Sequence, residues 1–282
     1  MKISLTYPSK CFTILALMLY LFSCSSKKTQ SVGASADSHT ASSLELDHFN
    51  IWVNNPEAAK NKLISIGFKP VPDSLSAIHY GQGTAGKYFN FLNTYIEFIY
   101  VYNQEELEEN NAKNIGLDFT ERANFSENGA SPFGLALKLE HYDPSKIPFE
   151  KVRYQQEWMG TEGSIYAAKS SKTRLSEPSV FVVYPNIQAK IFETKLDLNE
   201  ALKEYEFYRQ TYIHPNGAEK VTKTVISTPL VDLNTLTIKA LNRIHEIEVK
   251  QGTEHLLELH FDNGRQGKTF DLRPELPLMI YL

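Results

Sequence analysis

The chain has 282 residues, of which 42% are hydrophobic, 12% aromatic and 22% charged, and this composition excludes wholesale disorder. Its net charge of −4 leaves no basic surplus to neutralise a phosphate backbone, so nucleic acid is not an expected partner. The two cysteines, Cys11 and Cys24, both belong to the N-terminal segment. The rest of the chain therefore has neither a disulfide scaffold nor a cysteine nucleophile.

The N-terminal segment has the pattern of an export signal. Lys2 and Lys10 precede an apolar run of about a dozen residues, too short to span a bilayer comfortably as a helix. The run ends in Leu21-Phe22-Ser23-Cys24, which resembles a bacterial lipoprotein box. We therefore predict a signal peptide over residues 1–23 and lipidation of Cys24. An uncleaved anchor and an ordinary signal peptide are the alternatives.

Residues 24–43 are rich in Ser, Ala and Thr and contain almost no large apolar side chain, so they are predicted to form a flexible tether. Acyl chains on Cys24 would hold the folded part against a membrane. The expected location is outside the cytoplasm, lipid-anchored to the cell envelope. In a bacterium with two membranes, Ser25 after the cysteine implies the outer membrane.

Hydrophobic periodicity from residue 44 onward predicts strand–helix–strand–strand–strand units. The first strand alternates, with Phe49 and Ile51 on one face and His48, Asn50 and Trp52 on the other. Asn55 and Pro56 then provide a helix start. The first unit is predicted to contain a strand at 46–53, a helix over 56–66, and strands at 68–71, 88–92 and 95–102.

The remaining pattern predicts two further units joined by helical connections. The segment 142–148 contains two prolines, so the helix expected there is poor. The predicted strands are 132–140, 153–158, 164–169, 179–184, 221–228, 246–250, 256–261 and 269–272, and the predicted helices are 105–113, 199–209 and 231–244. The fold class is therefore α+β, with repeated modules over about 46–102, 132–185 and 220–282 in one domain, residues 44–282.

Three stretches carry a family resemblance: residues 46–53 (LDHFNIWV), 81–85 (GQGTA) with 93–99 (NTYIEFI), and 214–218 (HPNGA). Together they resemble the glyoxalase-like proteins of the vicinal oxygen chelate superfamily. The resemblance implies paired βαβββ modules whose mixed sheets form a cupped, open barrel around a small-molecule site. In metal-dependent members, His and Glu side chains of the first and last strands hold a divalent ion; metal-free members bind or sequester compounds.

Carried over to this sequence, the resemblance assigns His48 and Glu97 as metal ligands, two residue types that suit a borderline divalent ion. The second module does not match, because Gly134 stands at the histidine position and Phe181 at the carboxylate position. The third module could donate Glu258 or His260, and a homodimer could also supply ligands. A divalent metal is thus the cofactor to test, with an incomplete ligand set.

Other residues of the first module are predicted to bind a small-molecule ligand. Asn50, Trp52, Tyr88 and Asn90 occupy alternating strand positions and would form one polar and aromatic surface with Glu97. Enclosed without a cation, Glu97 would suit the role of catalytic general base. The alternatives are a wet outer sheet face for this surface and an ordinary hydrogen-bonded histidine for His48.

The glycines of 81–86 and the 214–217 segment (HPNG) lack nucleotide-binding spacing and are predicted to be turns. The functional expectation is a membrane-anchored glyoxalase-like protein with a small-molecule cup, acting as a lyase, isomerase or dioxygenase if it is an enzyme. The alternative is a non-catalytic binding or sequestering lipoprotein of the same fold.

Overall fold

The computed structural model describes residues 44–282, which form an α+β fold with two mixed sheets, the larger one curled. The predicted signal peptide, Cys24 and the tether lie outside the described residues. Within the described part, no helix combines the length and apolar character needed to cross a membrane.

The larger sheet has eight strands in the order β2-β3-β4-β1-β5-β8-β7-β6. Its central strands β1 and β5 pair antiparallel, and each also pairs in parallel with the last strand of its own half, β4 or β8. The two halves therefore repeat one pairing scheme on either side of the β1–β5 ladder. The strands are β1 (Leu44–Trp52), β2 (Ile78–His79), β3 (Thr84–Asn90), β4 (Tyr95–Val101), β5 (Phe133–Leu139), β6 (Lys151–Tyr154), β7 (Ile165–Ala168) and β8 (Ser179–Val183).

The smaller sheet has five strands in the order β10-β9-β11-β13-β12. Its first strand, β9, pairs in parallel with β10 and antiparallel with β11, so the third unit has a different strand order from the two halves of the larger sheet. The strands are β9 (Val221–Thr228), β10 (Ile247–Gln251), β11 (Leu256–Phe261), β12 (Thr269–Asp271) and β13 (Leu278–Tyr281).

Local capping chemistry explains where the two longest helices start. Asn55 accepts a hydrogen bond from the Ala58 amide at the start of the first helix, and Asn103 caps the second in the same way. The helices are α1 (Pro56–Ser65), α2 (Gln104–Lys113), α3 (Phe119–Ala123), α4 (Phe125–Asn128), α5 (Lys169–Thr173), α6 (Lys195–Ala201), α7 (Glu206–Arg209) and α8 (Leu236–Leu241).

The alternation predicted for β1 is confirmed and gives the larger sheet two different faces. Phe49 and Ile51 join a hydrophobic core that also contains residues of α1, α8 and the smaller sheet. His48, Asn50 and Trp52 point to the opposite face, where they line a cavity. Successive strand side chains point to opposite faces, so one strand serves both the core and the cavity.

Several predicted elements were wrong in position. Residues 68–71 form no strand: Val71 donates one backbone hydrogen bond to the Tyr88 carbonyl, and the pairing strand is β2 instead. The helix predicted over 199–209 is two short helices, α6 and α7, and a capping box at Thr194 starts α6 earlier than predicted. The helix predicted over 231–244 is only α8, and the final strand β13 was not predicted.

Candidate functional site

A cavity of about 400 Å³ lies against the first half of the larger sheet. It is lined by all six residues proposed from the sequence for the metal and ligand sites: His48, Asn50, Trp52, Tyr88, Asn90 and Glu97. Five of them are at least nine-tenths buried, which excludes the alternative that this face is a wet outer surface.

Glu97 is held at the centre of the polar wall by two neutral donors. The Asn50 amide donates to Oε2 over 2.7 Å, and the Tyr88 hydroxyl donates to Oε1 over 3.0 Å. Strand register causes this, because Asn50 and Tyr88 stand directly opposite Glu97 on the two neighbouring strands. Among residues 44–282, no lysine or arginine nitrogen lies within 4 Å of the carboxylate.

His79 extends this hydrogen-bond network. Its Nε2 lies 3.2 Å from the Tyr88 oxygen and 3.6 Å from Glu97 Oε1, and its Nδ1 lies 3.0 Å from Thr84 Oγ1. Burial lowers the pKa of His79, although the nearby Glu97 opposes the shift, and burial raises the pKa of Tyr88 well above its ordinary value. With His79 neutral, Thr84 donates to Nδ1, Nε2–H donates to Tyr88, and Tyr88 donates to Glu97.

A β-bulge places an acid beside His48. The β1–β5 register shifts between Leu46 and His48, so Asp47 is the extra residue, and its Oδ1 lies 2.6 Å from His48 Nδ1. Asp47 is fully buried, and its Oδ2 accepts the Ala189 amide over 2.9 Å. Because a carboxylate only accepts, Nδ1 carries the proton, and Nε2 has no hydrogen-bond partner in the described part of the chain.

The His48 ring is also fixed by packing. It stacks on Tyr95 with the ring centres 4.2 Å apart and the planes 12° from parallel, and the edge of Phe181 lies 5.8 Å away. The hydrogen bond to Asp47 and the stacking on Tyr95 fix the orientation of the imidazole ring. The free Nε2 is thereby held in one position, as a general base requires.

The lining contributed by the second half of the larger sheet is mainly apolar. It consists of small, aliphatic and aromatic side chains from β7 and β8, and Trp158 and Met159 extend it. The polar and charged residues elsewhere in the lining include Asp118, Arg122, Gln188 and Lys190. A ligand in this cavity would therefore meet polar groups on one side and an apolar surface on the other. The β7 and β8 residues on this wall are Ile165, Ala167, Ser179, Phe181 and Val183.

The strand register supports the comparison of the two halves made from the sequence. The strand pairing is symmetric about a two-fold axis at the Phe49–Leu135 pair. Under this two-fold rotation, His48 corresponds to Gly134 and Glu97 corresponds to Phe181. The second half thus has no titratable side chain at either position.

The third unit does not complete the set. Glu258 and His260 are two residues apart on β11, so they share its half-exposed face, opposite the buried Leu257 and Leu259. Neither residue lines the cavity. Glu258 instead contacts Lys250 and accepts a hydrogen bond from Tyr281, whose ring stacks on His260.

The donor set does not fit the divalent ion that the family resemblance implies. Both Glu97 oxygens already accept protein hydrogen bonds, and Gly134 and Phe181 replace two of the expected ligands. Across residues 44–282, no three His, Cys, Asp or Glu side chains are grouped so as to hold a metal. The geometry is that of a hydrogen-bonded pocket.

Asn90 and the 214–217 turn have a structural role. The Asn90 amide donates to Thr211 Oγ1, and the Asn90 carbonyl accepts a hydrogen bond from His214 Nε2 over 2.8 Å. The turn itself was predicted and is confirmed, with a Gly217 amide to His214 carbonyl hydrogen bond. Asn90 thus lines the cavity but has its amide nitrogen engaged.

Three comparisons place the chain among known proteins only at the level of fold. No family model matches the chain. No curated protein matches it either. Its structure is similar to the crystal structure of a hypothetical protein from Staphylococcus aureus, with a TM-score of 0.50 and 11% identity, over 84% of this chain and 98% of that one. At this identity the likeness shows the fold alone.

Sequence reasoning missed three residues of the site. Asp47 precedes His48, but only the bulge turns its carboxylate towards the ring. His79 lies on a two-residue strand, and Tyr95 was assigned to a strand without a role. The alternating pattern around Tyr95 could have indicated its place, since it shares a face with Glu97.

Proposed function

We propose that this protein binds one small organic molecule in the cavity, within a fold of the glyoxalase-like type. The observation that carries the proposal is the pairing of one polar, hydrogen-bonded wall with one apolar wall around about 400 Å³. That volume is in the range of small-molecule sites, and few, well-placed polar groups on an apolar lining are their usual composition.

The strand scheme supports the glyoxalase-like assignment. In both halves of the larger sheet, the first strand pairs in parallel with the last, and the two first strands pair with each other. The ligand set described above favours the binding function over metal catalysis, because Glu97 is committed to Asn50 and Tyr88.

The chain has two tryptophans, and both line the cavity, so intrinsic fluorescence reports its occupancy. We expect the neutral apolar dye N-phenyl-1-naphthylamine to bind the protein saturably and to quench Trp52 and Trp158 by energy transfer. Ala167→Leu adds bulk to the apolar wall and should abolish this signal. Ala112→Leu, on the exposed side of α2, should preserve it.

A saturable signal that survives Ala167→Leu unchanged would place the dye elsewhere. The absence of saturable transfer in the wild type would refute the proposal.

One observation favours a second candidate, a metal-independent acid–base enzyme of the lyase or isomerase type. His48 has the oriented imidazole of a general base, with Asp47 as the positioning residue. As an enzyme, the protein would exchange a ligand C–H proton with D2O. His48→Gln should abolish this exchange, while Asp47→Asn should slow it. A bound ligand that never exchanges would leave only the binding function.

We also propose that Cys24 tethers the protein to a membrane at the cell surface or in the envelope. Cys24→Ser should then move the protein from the membrane fraction to the soluble fraction, and metabolic labelling with a fatty acid should be lost. Labelling that persists in the variant would contradict lipidation at this residue.

A further inference from the structure

Two polar atoms of the cavity wall are acceptors without a donor. Asn50 turns its amide nitrogen to Glu97, which only accepts, and this leaves Asn50 Oδ1 buried without a partner in residues 44–282. His48 Nε2 is the second free atom, and in the neutral ring it accepts. A buried acceptor without a donor is costly, so the wall is complementary to a ligand that donates.

The same wall carries negative charge without a compensating cation. Glu97 accepts hydrogen bonds only from the neutral Asn50 amide and Tyr88 hydroxyl, and no lysine or arginine nitrogen of residues 44–282 lies within 4 Å of its carboxylate. Arg122 is fully buried and already donates to Asp118 and to four backbone carbonyls. Lys190 is exposed, with its ammonium 5.7 Å from the centre of the Tyr208 ring.

Aromatic rings surround these acceptors. Trp52, Tyr95, Trp158 and Phe181 all line the cavity, and Tyr95 lies in contact with both His48 and Tyr88. Faces of Trp and Tyr rings attract a cation, and the apolar wall accommodates an attached hydrocarbon body.

From the unpartnered acceptors, the uncompensated carboxylate and the aromatic lining, we infer that the ligand is an organic ammonium, a protonated primary amine on an aromatic or other apolar body. The inference rests on the proposed binding function. The ammonium donates to Asn50 Oδ1 and His48 Nε2 and offsets the charge of Glu97. A carboxylate ligand would instead face Glu97, and the two like charges would repel each other.

The test uses the full-length chain and three probes of similar shape: 2-phenylethylamine, 2-phenylethanol and 3-phenylpropanoate. Each is titrated in competition with N-phenyl-1-naphthylamine, with tryptophan emission as the readout. We expect the amine to bind about tenfold more tightly than the alcohol, and the anion to bind most weakly.

Glu97→Gln should weaken amine binding about tenfold while changing the affinity for the alcohol by less than about threefold. Glu105→Gln, an exposed acid on α2, is the matched control and should change neither. If Glu97→Gln does not fold, the order of the three probes on the wild type decides alone.

Binding of the alcohol or the anion as tightly as the amine would overturn the ligand class, and so would dye binding that none of the three probes displaces. Either result leaves the proposed binding function standing. The absence of saturable dye binding would overturn that function, and this inference with it. If the site instead takes an anion, Lys190→Gln should lower the affinity for 3-phenylpropanoate.

Discussion

Acidification is expected to destabilise the fold through His214, whose buried ring packs against Phe68 and Phe91. The Lys69 amide donates to Nδ1 over 3.0 Å, and Nε2–H donates to the Asn90 carbonyl over 2.8 Å. The neutral ring is therefore the form that fits. Burial lowers the pKa of His214 from its ordinary value of 6.5 to about 4.

The direction of the effect follows from that shift. The unfolded chain takes up a proton near pH 6.5, whereas the folded chain resists it until about pH 4. The stability from neutral His214 is therefore present above pH 6.5 and is lost as the pH falls towards 4. One pKa unit corresponds to about 1.4 kcal/mol. The free energy of unfolding therefore falls by about 2 kcal/mol at pH 5 and about 3 kcal/mol at pH 4.

Urea unfolding followed by circular dichroism at pH 7 and pH 5 measures the effect. His214→Gln keeps an acceptor and a donor but does not titrate, and the other acidic groups act equally in both proteins. The free energy of unfolding of the variant should therefore fall by about 2 kcal/mol less than that of the wild type. An equal fall in the two proteins would refute the reasoning. His214→Asn serves as the second non-titrating variant.

Arg122→Met removes the buried guanidinium from five hydrogen bonds and should lower the free energy of unfolding by about 3–5 kcal/mol in urea titration. A loss of less than about 1 kcal/mol would show that water takes over the hydrogen bonds of the guanidinium. Gly86→Ala directs a methyl group at the Tyr88 hydroxyl and the Glu97 carboxylate, so dye affinity should fall about tenfold while far-UV circular dichroism is unchanged. Unchanged dye affinity would show that Glu97 is not part of the binding site. Elemental analysis of protein prepared without chelator should find no stoichiometric divalent ion, and chelator should leave dye affinity unchanged; an ion that is lost in Glu97→Gln would contradict the fit described here.

The accuracy of the element predictions depended on how local their cause is. The alternation of β1, the Asn55 cap and the 214–217 turn were confirmed, because each is decided by neighbouring residues. The 68–71 strand was wrong because pairing is decided by which distant segment offers a free edge. Val71 obtains only one hydrogen bond there.

The location of the site was predictable for the same reason, since period-two alternation places His48, Asn50 and Trp52 on one face. Comparison of the two halves also set Gly134 against His48 and Phe181 against Glu97, and the strand register agrees with this correspondence.

The sequence by itself determined a polar face on β1, β3 and β4. Only the tertiary structure decided that this face is enclosed, that a bulge turns Asp47 towards His48, and that His79 joins Glu97 through Tyr88. The physical reason is range: side-chain alternation is a property of each strand, whereas register, bulges and the opposing apolar wall depend on pairing between residues far apart in the chain.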